Sequence, residues 1–301
     1  SRVVPSEYKE NWHELDNPLY AFKKIAKGPK ITKPKHIFFI VGESIPQWSL
    51  DETHKALNIC PGLWNFKNHP HTLQIPNFLP AGNVSRPSIV SLMSGIYDAG
   101  LEVNERESFW TGSFPTSFAH QMKRLGYQTI YWYGGNASYG NFNHFGKAQG
   151  FDRVESASIF CGPDAPKTWV GVYDHVFLEN IEQQIKEIDE PTFHFIYTTS
   201  NHGPYKMEDS LLDYDPKKVM PAVEEDLRSN WTRNKELATY RYSDKALFRF
   251  VEAMKEAYPD SLFVVTGDHS NLFGSLNNTS LIHRDYTLRD TFCTVGLLQH
   301  P

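Results

Sequence analysis

A chain of 301 residues with 40% hydrophobic and 22% charged residues has ordinary globular composition and enough apolar material for a sizeable core. A net charge of −5, with no Lys/Arg block, excludes the phosphate-backbone footprint of a nucleic-acid binder, so an anionic substrate would have to be neutralised locally. Cys60, Cys161 and Cys293 are too scattered for a disulfide framework or a CxxC metal site, and no apolar run approaches the roughly 20 residues a membrane helix needs.

Residues 1 to 35 are polar and close on a Lys/Pro-rich stretch, which reads as a lead-in or linker to a single domain over 36–301. The absence of an initiator Met and of a signal peptide fits a portion of a longer chain. His36 to Val41 is a near-continuous apolar run, the pattern of a central parallel strand covered on both faces. It ends in Gly42-Glu43-Ser44, which puts a carboxylate at the carboxyl edge where open α/β sheets gather ligands. Glu43 also fits a plain helix-capping role. From Ser49 to Gly82 the chain is rich in His, Asn and Pro with little periodicity, and reads as a long surface excursion. Within it His69-Pro70-His71 has a spacing that suits a metal, against the commoner reading of exposed loop histidines; His54 is a third histidine there.

Ser85-Arg86-Pro87-Ser88 then enters a short amphipathic helix that closes at Gly95. Pro87 suits a first helical turn and Gly95 the position just past the last one. Ser85 falls at or just before the N-terminus, where unpaired N–H groups and the helix dipole favour a phosphate or sulfate. It is either a nucleophile or an ordinary N-cap.

Phe114 to Leu125 is a predicted helix, Tyr127 to Tyr133 a strand, and Gly134 to Asn141 a small-residue loop that either approaches a ligand or merely turns. Tyr173 to Ile188 is an amphipathic helix, and the strand after it, Thr192 to Thr199, ends in Ser200-Asn201-His202-Gly203-Pro204. Lys206 to Arg233 reads as a charged, irregular surface insertion, and Asn234 to Ala257 as one long helix. The strand Ser261 to Thr266 runs into Gly267-Asp268-His269, where glycine gives the backbone freedom to turn both side chains onto one metal, and Phe292 to Leu298 is the last predicted strand.

Separate strands therefore bring Glu43, Ser85, His202 and Asp268-His269 to one edge of one sheet. Carboxylate oxygens with an imidazole nitrogen suit a divalent cation. Such a cation would lower the pKa of the Ser85 oxygen and offset charge on phosphoryl oxygens, while His202 donates a proton to the leaving oxygen or hydrogen-bonds the phosphoryl group.

Val41-Gly42-Glu43-Ser44, the serine block with Leu92-Met93-Ser94-Gly95, Asn201-His202-Gly203-Pro204 and Gly267-Asp268-His269, in this order, resemble the alkaline phosphatase/sulfatase superfamily, specifically its lipoteichoic-acid synthase and phosphoglycerol/phosphoethanolamine transferase branch. Leu125-Gly126-Tyr127 and Gly150-Phe151-Asp152 are similar to that branch's non-catalytic landmarks. The resemblance implies an α/β fold with a mostly parallel central sheet sandwiched by helices. It implies Glu43, Ser85, Asp268 and His269 as ligands of one divalent ion, Mn or Zn with Mg as an option and a second ion left open. It further implies Ser85 and His202 as catalytic groups, and Arg86, Asn136, Asn201 and His202 as substrate contacts. The activity it implies is transfer of a phospho-alcohol group from a lipid donor to a glycan or lipid acceptor, on the periplasmic or extracellular face of a membrane. The chain would be a monomer, tethered only through a segment outside this sequence. A sulfatase or phosphodiesterase-type hydrolase, and an inactive anion-binding relative, are the alternatives. Where lipoteichoic-acid synthases carry a Trp and an Arg for glycerol phosphate, this chain has Gly140 and Phe142.

Overall fold

In the computed structural model, which describes residues 32–215, 231–271 and 287–301, the alternation along the first strand determines the layering. Ile37 and Val41 pack to one side, Phe38 and Ile40 to the other, as a period of two requires. The strands are β1 (His36–Gly42), β2 (Thr72–Gln74), β3 (Gln128–Tyr133), β4 (Arg153–Ser156), β5 (Thr192–Tyr197), β6 (Leu262–Gly267) and β7 (Gly296–Gln299). They form one seven-stranded sheet in the order β2-β7-β6-β1-β5-β3-β4. From β6 to β4 all pairs are parallel, and β7 and β2 add an antiparallel edge.

The helices that matter to the site are α1 (Pro61–Lys67), α2 (Ser85–Ser94), α3 (Phe118–Arg124), α4 (Asp174–Lys186) and α5 (Trp231–Ala257). Ile89, Val90 and Met93 of α2 and Ala119 of α3 close the face that carries Val41, Tyr133 and Tyr197. On the opposite face Phe177, Ile181 and Ile185 of α4 and Leu247, Phe250 and Met254 of α5 cover Phe38, Ile40, Trp132 and Phe263. The fold is thus mixed α/β with helices on both sides of a mostly parallel sheet, and residues Pro34–Pro301 pack as one compact unit.

Two expectations are corrected. From Ser49 to Phe66 the stretch is no surface excursion, since Leu50, Leu57, Leu63, Trp64 and Phe66 are all buried; from Lys67 to Gly82 no residue is buried and the chain does run along the surface. The buried part is built from two 3₁₀ segments and the seven-residue α1, pieces too short to display a helical period. Asp244 of α5 accepts hydrogen bonds from the backbone N–H groups of Gly62 (2.8 Å) and Leu63 (2.9 Å) and so ties α1 to the core. The final strand starts at Gly296, because Leu288–Phe292 forms a capped helix instead. Strands β2 and β4, of three and four residues, carried no periodic signal. The expected lead-in lies outside the described residues except for its last four, and the expected insertion after Lys206 is described only to residue 215 and from 231 on.

Beneath the sheet's amino end, Trp132 Nε1–H donates to His194 Nδ1 at 3.1 Å, so the His194 proton sits on Nε2 and points at His36 Nδ1, also 3.1 Å away. Burial pushes both imidazoles down, His36 to about 4. A depressed histidine stays neutral in the fold while the unfolded chain takes up a proton below about 6.5, so this pair loses stability as pH falls from there through about 4. An NMR pH titration should find His36 protonating near 4; a midpoint at the ordinary value of about 6.5 would contradict this picture.

Candidate active site

Register places the ligands. Gly42 of β1 and Gly267 of β6 are paired residues, so the residues after them, Glu43 and Asp268, leave adjacent strands at the same height. Close approach demands glycine at 267, where a Cβ would lie 2.7 Å from the Ile45 carbonyl oxygen, while a Cβ on Gly42 would press against the Ile45 side chain. This corrects the turn argument for Gly267, whose φ is not in the left-handed region.

Glu43 is 2% exposed and Asp268 is fully buried. Asp268 Oδ1 accepts from the Ser44 N–H (2.8 Å) and the His269 N–H (2.9 Å), and Glu43 Oε1 accepts from the Ser44 hydroxyl (2.7 Å). His269 Nδ1–H donates to the Ser270 carbonyl at 2.8 Å, which leaves the Nε2 lone pair free. That nitrogen lies 3.5 Å from Glu43 Oε1 and 3.5 Å from Asp268 Oδ2.

Ser85 is the first residue of α2, and Val84 occupies the N-cap position without any side-chain cap bond. Serine is therefore not capping its helix. Its Oγ instead lies 3.3 Å from Glu43 Oε2 and 3.4 Å from His269 Nε2. Pro87 sits in the first turn, and Gly95 takes the left-handed φ of 71° that ends the helix.

Do these residues fit a divalent ion? Glu43, Asp268 and His269 each offer one ligand atom, all within 4.8 Å of one another. Two buried carboxylates side by side are costly, and burial followed by the Asp268 charge pushes the Glu43 carboxyl well above its usual range. Among the described residues the one basic side chain paired with either is His269. A buried acidic pair with a free imidazole nitrogen and no Lys or Arg is a donor set that a Zn, Mn or Mg ion suits.

The site opens into a cleft of about 460 Å³ lined in part by Ser85, Arg86, Asn136, Tyr139, Trp169 and His202. His202 Nδ1–H donates to the Gly203 carbonyl at 2.7 Å, and the Trp169 indole N–H reaches the same oxygen at 2.9 Å. Nε2 is thus the His202 ring atom left for the cleft. Arg86 pairs with Glu105 at 3.1 Å and lies over the Tyr139 ring, which fixes its guanidinium beside the cleft. The Asn136 carbonyl oxygen is taken by the Ser138 N–H and hydroxyl, so only the rest of that side chain faces the cleft.

Asn201, expected to touch substrate, is instead 3% exposed and donates to the carbonyls of Glu43 (3.2 Å) and Ser44 (3.3 Å). It braces the Glu43 turn from behind. His69 and His71 are exposed and stacked edge-on to each other, and His54 is buried against Trp48; none joins the acidic cluster. Phe142 lines the cleft. Sequence reading passed over Tyr197, Tyr133 and Trp169 as core or loop residues. Tyr197 ends a buried strand, in register with Val41, two residues before Glu43.

A mostly parallel sheet with a serine-led helix and an acidic, imidazole-bearing cluster at its carboxyl edge is the arrangement of the alkaline phosphatase superfamily. The sulfatase family model matches residues 35–290, and the chain belongs to that family. The Bacillus subtilis (strain 168) protein named lipoteichoic acid synthase-like YvgJ is 26% identical over 152 residues, which is 49% of this chain and only 23% of that protein. The lipoteichoic acid synthase LtaP from Listeria monocytogenes superposes with a TM-score of 0.69 at 18% identity, covering 89% of this chain and 66% of that one. The C-terminal periplasmic domain of EcEptC from Escherichia coli, in complex with Zn, superposes with a TM-score of 0.65 at 16% identity, covering 91% of this chain and 75% of that one. At such identities the structural likenesses speak for the fold. Among the described residues no helix is long and apolar enough to cross a membrane.

Proposed function

We propose that this chain carries the catalytic site of a metal-dependent enzyme that moves a phospho-alcohol group, such as phosphoglycerol or phosphoethanolamine, from a lipid donor to a glycan or lipid acceptor through a covalent Ser85 intermediate. The observation that carries the reading is the Ser85 hydroxyl. It is freed from capping, placed at the N-terminus of α2 and aimed at Glu43 Oε2 and His269 Nε2.

Glu43, Asp268 and His269, joined by Ser85 Oγ, would hold one divalent ion, Mn or Zn or alternatively Mg. When bound, the ion supplies charge compensation for the serine oxygen and the phosphoryl oxygens. Ser85 Oγ attacks phosphorus, and its proton has Glu43 Oε2 within reach at 3.3 Å. The bond from phosphorus to the donor oxygen breaks, and His202, entering this step with a proton on both ring nitrogens, delivers the one on Nε2 to that leaving oxygen while Nδ1–H stays on the Gly203 carbonyl. In the second half an acceptor hydroxyl attacks phosphorus and passes its proton to His202 Nε2, the bond from phosphorus to Ser85 Oγ breaks, and Ser85 Oγ takes back the proton held at Glu43 Oε2. The free N–H groups of the first turn of α2 add a favourable field for the anionic group. Arg86, fixed beside the nucleophile, would contact that group as well.

The relatives' printed names, lipoteichoic acid synthase among them, support the phosphotransfer reading at the family level. The periplasmic origin of the E. coli domain supports an extracytoplasmic setting next to a membrane. The chain would act as a monomer, held there through a segment outside this sequence. Phe142 gives the cleft an apolar wall, and with Gly140 and Phe142 where lipoteichoic-acid synthases carry Trp and Arg, the chain lacks the contacts by which those enzymes recognise glycerol phosphate.

Activity toward nitrophenyl esters of a phosphodiester, a phosphate monoester and sulfate tests the assignment. Turnover of the phosphodiester is expected to dominate. Turnover of the sulfate ester alone would assign a sulfatase instead.

A further inference from the structure

Tyr197 ends β5 with its hydroxyl between the two carboxylates of the cluster, 2.8 Å from Glu43 Oε2 and 3.0 Å from Asp268 Oδ2. It is 3% exposed. Its ring lies parallel to that of Tyr133 on the neighbouring strand, with centroids 5.3 Å apart and planes 5° apart. The in-register pairing of Tyr133 with Tyr197 and of Val41 with Tyr197 explains why: all three face the same side of the sheet at the same height. The phenol is therefore set by the sheet and not by the loops that carry the ligands.

We propose that Tyr197 is the positioning residue of the metal centre, and that its hydroxyl fixes the mutual orientation of the Glu43 and Asp268 carboxylates so that both meet one cation together with His269 Nε2. This rests on the metal reading of the site given above. Ser44 touches both carboxylates, but through two separate groups and on the other pair of oxygens: its hydroxyl donates to Glu43 Oε1 and its N–H, with that of His269, to Asp268 Oδ1. Ser85 Oγ reaches only Glu43 Oε2, and His269 Nε2, 3.5 Å from each carboxylate, is the atom left for the cation. The second oxygens, Glu43 Oε2 and Asp268 Oδ2, come from different strands, carry like charge and repel when both are ionised. Tyr197 is the hydroxyl within hydrogen-bond distance of both. A donor placed there lowers the repulsion and removes rotational freedom from two ligands before any ion arrives. Partners of this kind are worth about 10- to 100-fold in metal affinity.

Tyr197→Phe keeps the ring, the stack on Tyr133 and the volume, and removes only the hydroxyl. Titration calorimetry of Mn²⁺ and of Zn²⁺ into the metal-stripped chain should find the same stoichiometry in both proteins, with affinity about 10- to 100-fold weaker in the variant. Thermal unfolding should reveal a smaller ion-induced rise in midpoint for the variant, because stabilisation by a ligand follows its affinity. Affinity equal to wild type, or tighter binding on loss of a competing hydroxyl, would overturn the proposal while leaving the metal centre in place. If the wild-type chain itself takes up no ion, the metal reading fails first and this inference fails with it.

Discussion

Ser85→Ala is expected to keep its divalent ion and lose turnover on the scale of about 10⁶-fold, the loss seen when the nucleophile of a covalent mechanism is removed. The remaining ligands, Glu43, Asp268 and His269, still lie within 4.8 Å of one another, so metal uptake should weaken but persist. An N-cap serine would behave in the opposite way, with a loss of about 1 kcal/mol in stability and a rate barely changed. The geometry already separates these cases, because Val84 holds the cap position and the Ser85 hydroxyl bonds no backbone N–H of its own helix. Ser88 and Ser91 are the internal controls. Their hydroxyls donate to the carbonyls of Gly82 and Ile96, away from the acidic cluster, and their alanine variants should retain activity. A Ser85→Ala variant with more than a tenth of wild-type turnover would rule out the nucleophile.

His269→Ala and Asp268→Ala are each expected to abolish ion uptake and activity together. His269 is the cleaner test, since its side chain is 14% exposed and belongs to neither apolar core cluster. Asp268 is fully buried and also accepts from Ser44, His269 and Tyr197, so its loss adds a stability cost of about 1–3 kcal/mol for donors left unpaired. Asp268→Asn limits that cost by keeping the shape and one acceptor oxygen. Elemental analysis after dialysis against the metal reads the outcome directly. Full occupancy in either variant would remove that residue from the ligand set.

Polar residues directly behind buried strands were the legible part of the site. Glu43 after β1 and Asp268-His269 after β6 stand out because a strand covered on both faces is mostly apolar, so the first charged residue marks the sheet's edge, and His202 lies in the polar turn that follows β5. The register that brings Gly42 level with Gly267 is what turns that sequence signal into a cluster. Tyr197 was not legible in the same way. An aromatic residue at the end of an apolar strand reads as core, and only the parity shared with Tyr133 and Val41 aims its hydroxyl at the carboxylates. Asn201 shows a related difficulty: a polar residue beside a candidate catalytic histidine looks like a substrate contact, yet its side-chain NH₂ donates to the backbone of Glu43 and Ser44, and its buried Oδ1 has no partner among the described residues. In the fold, long periodic elements such as α4 and α5 were recognisable within a few residues. The buried run around Trp48, Leu57 and Trp64 was not, because 3₁₀ turns and a two-turn helix bury side chains without repeating.

The covalent Ser85 intermediate is the claim on which the rest depends, and trapping it is the most direct measurement. Incubation with a slow phosphodiester substrate, acid quench and peptide mapping by mass spectrometry should find the phospho-alcohol adduct on the peptide containing Ser85, with fragmentation placing it on that residue. An adduct on Ser88, or none at all while substrate is turned over, would contradict the account.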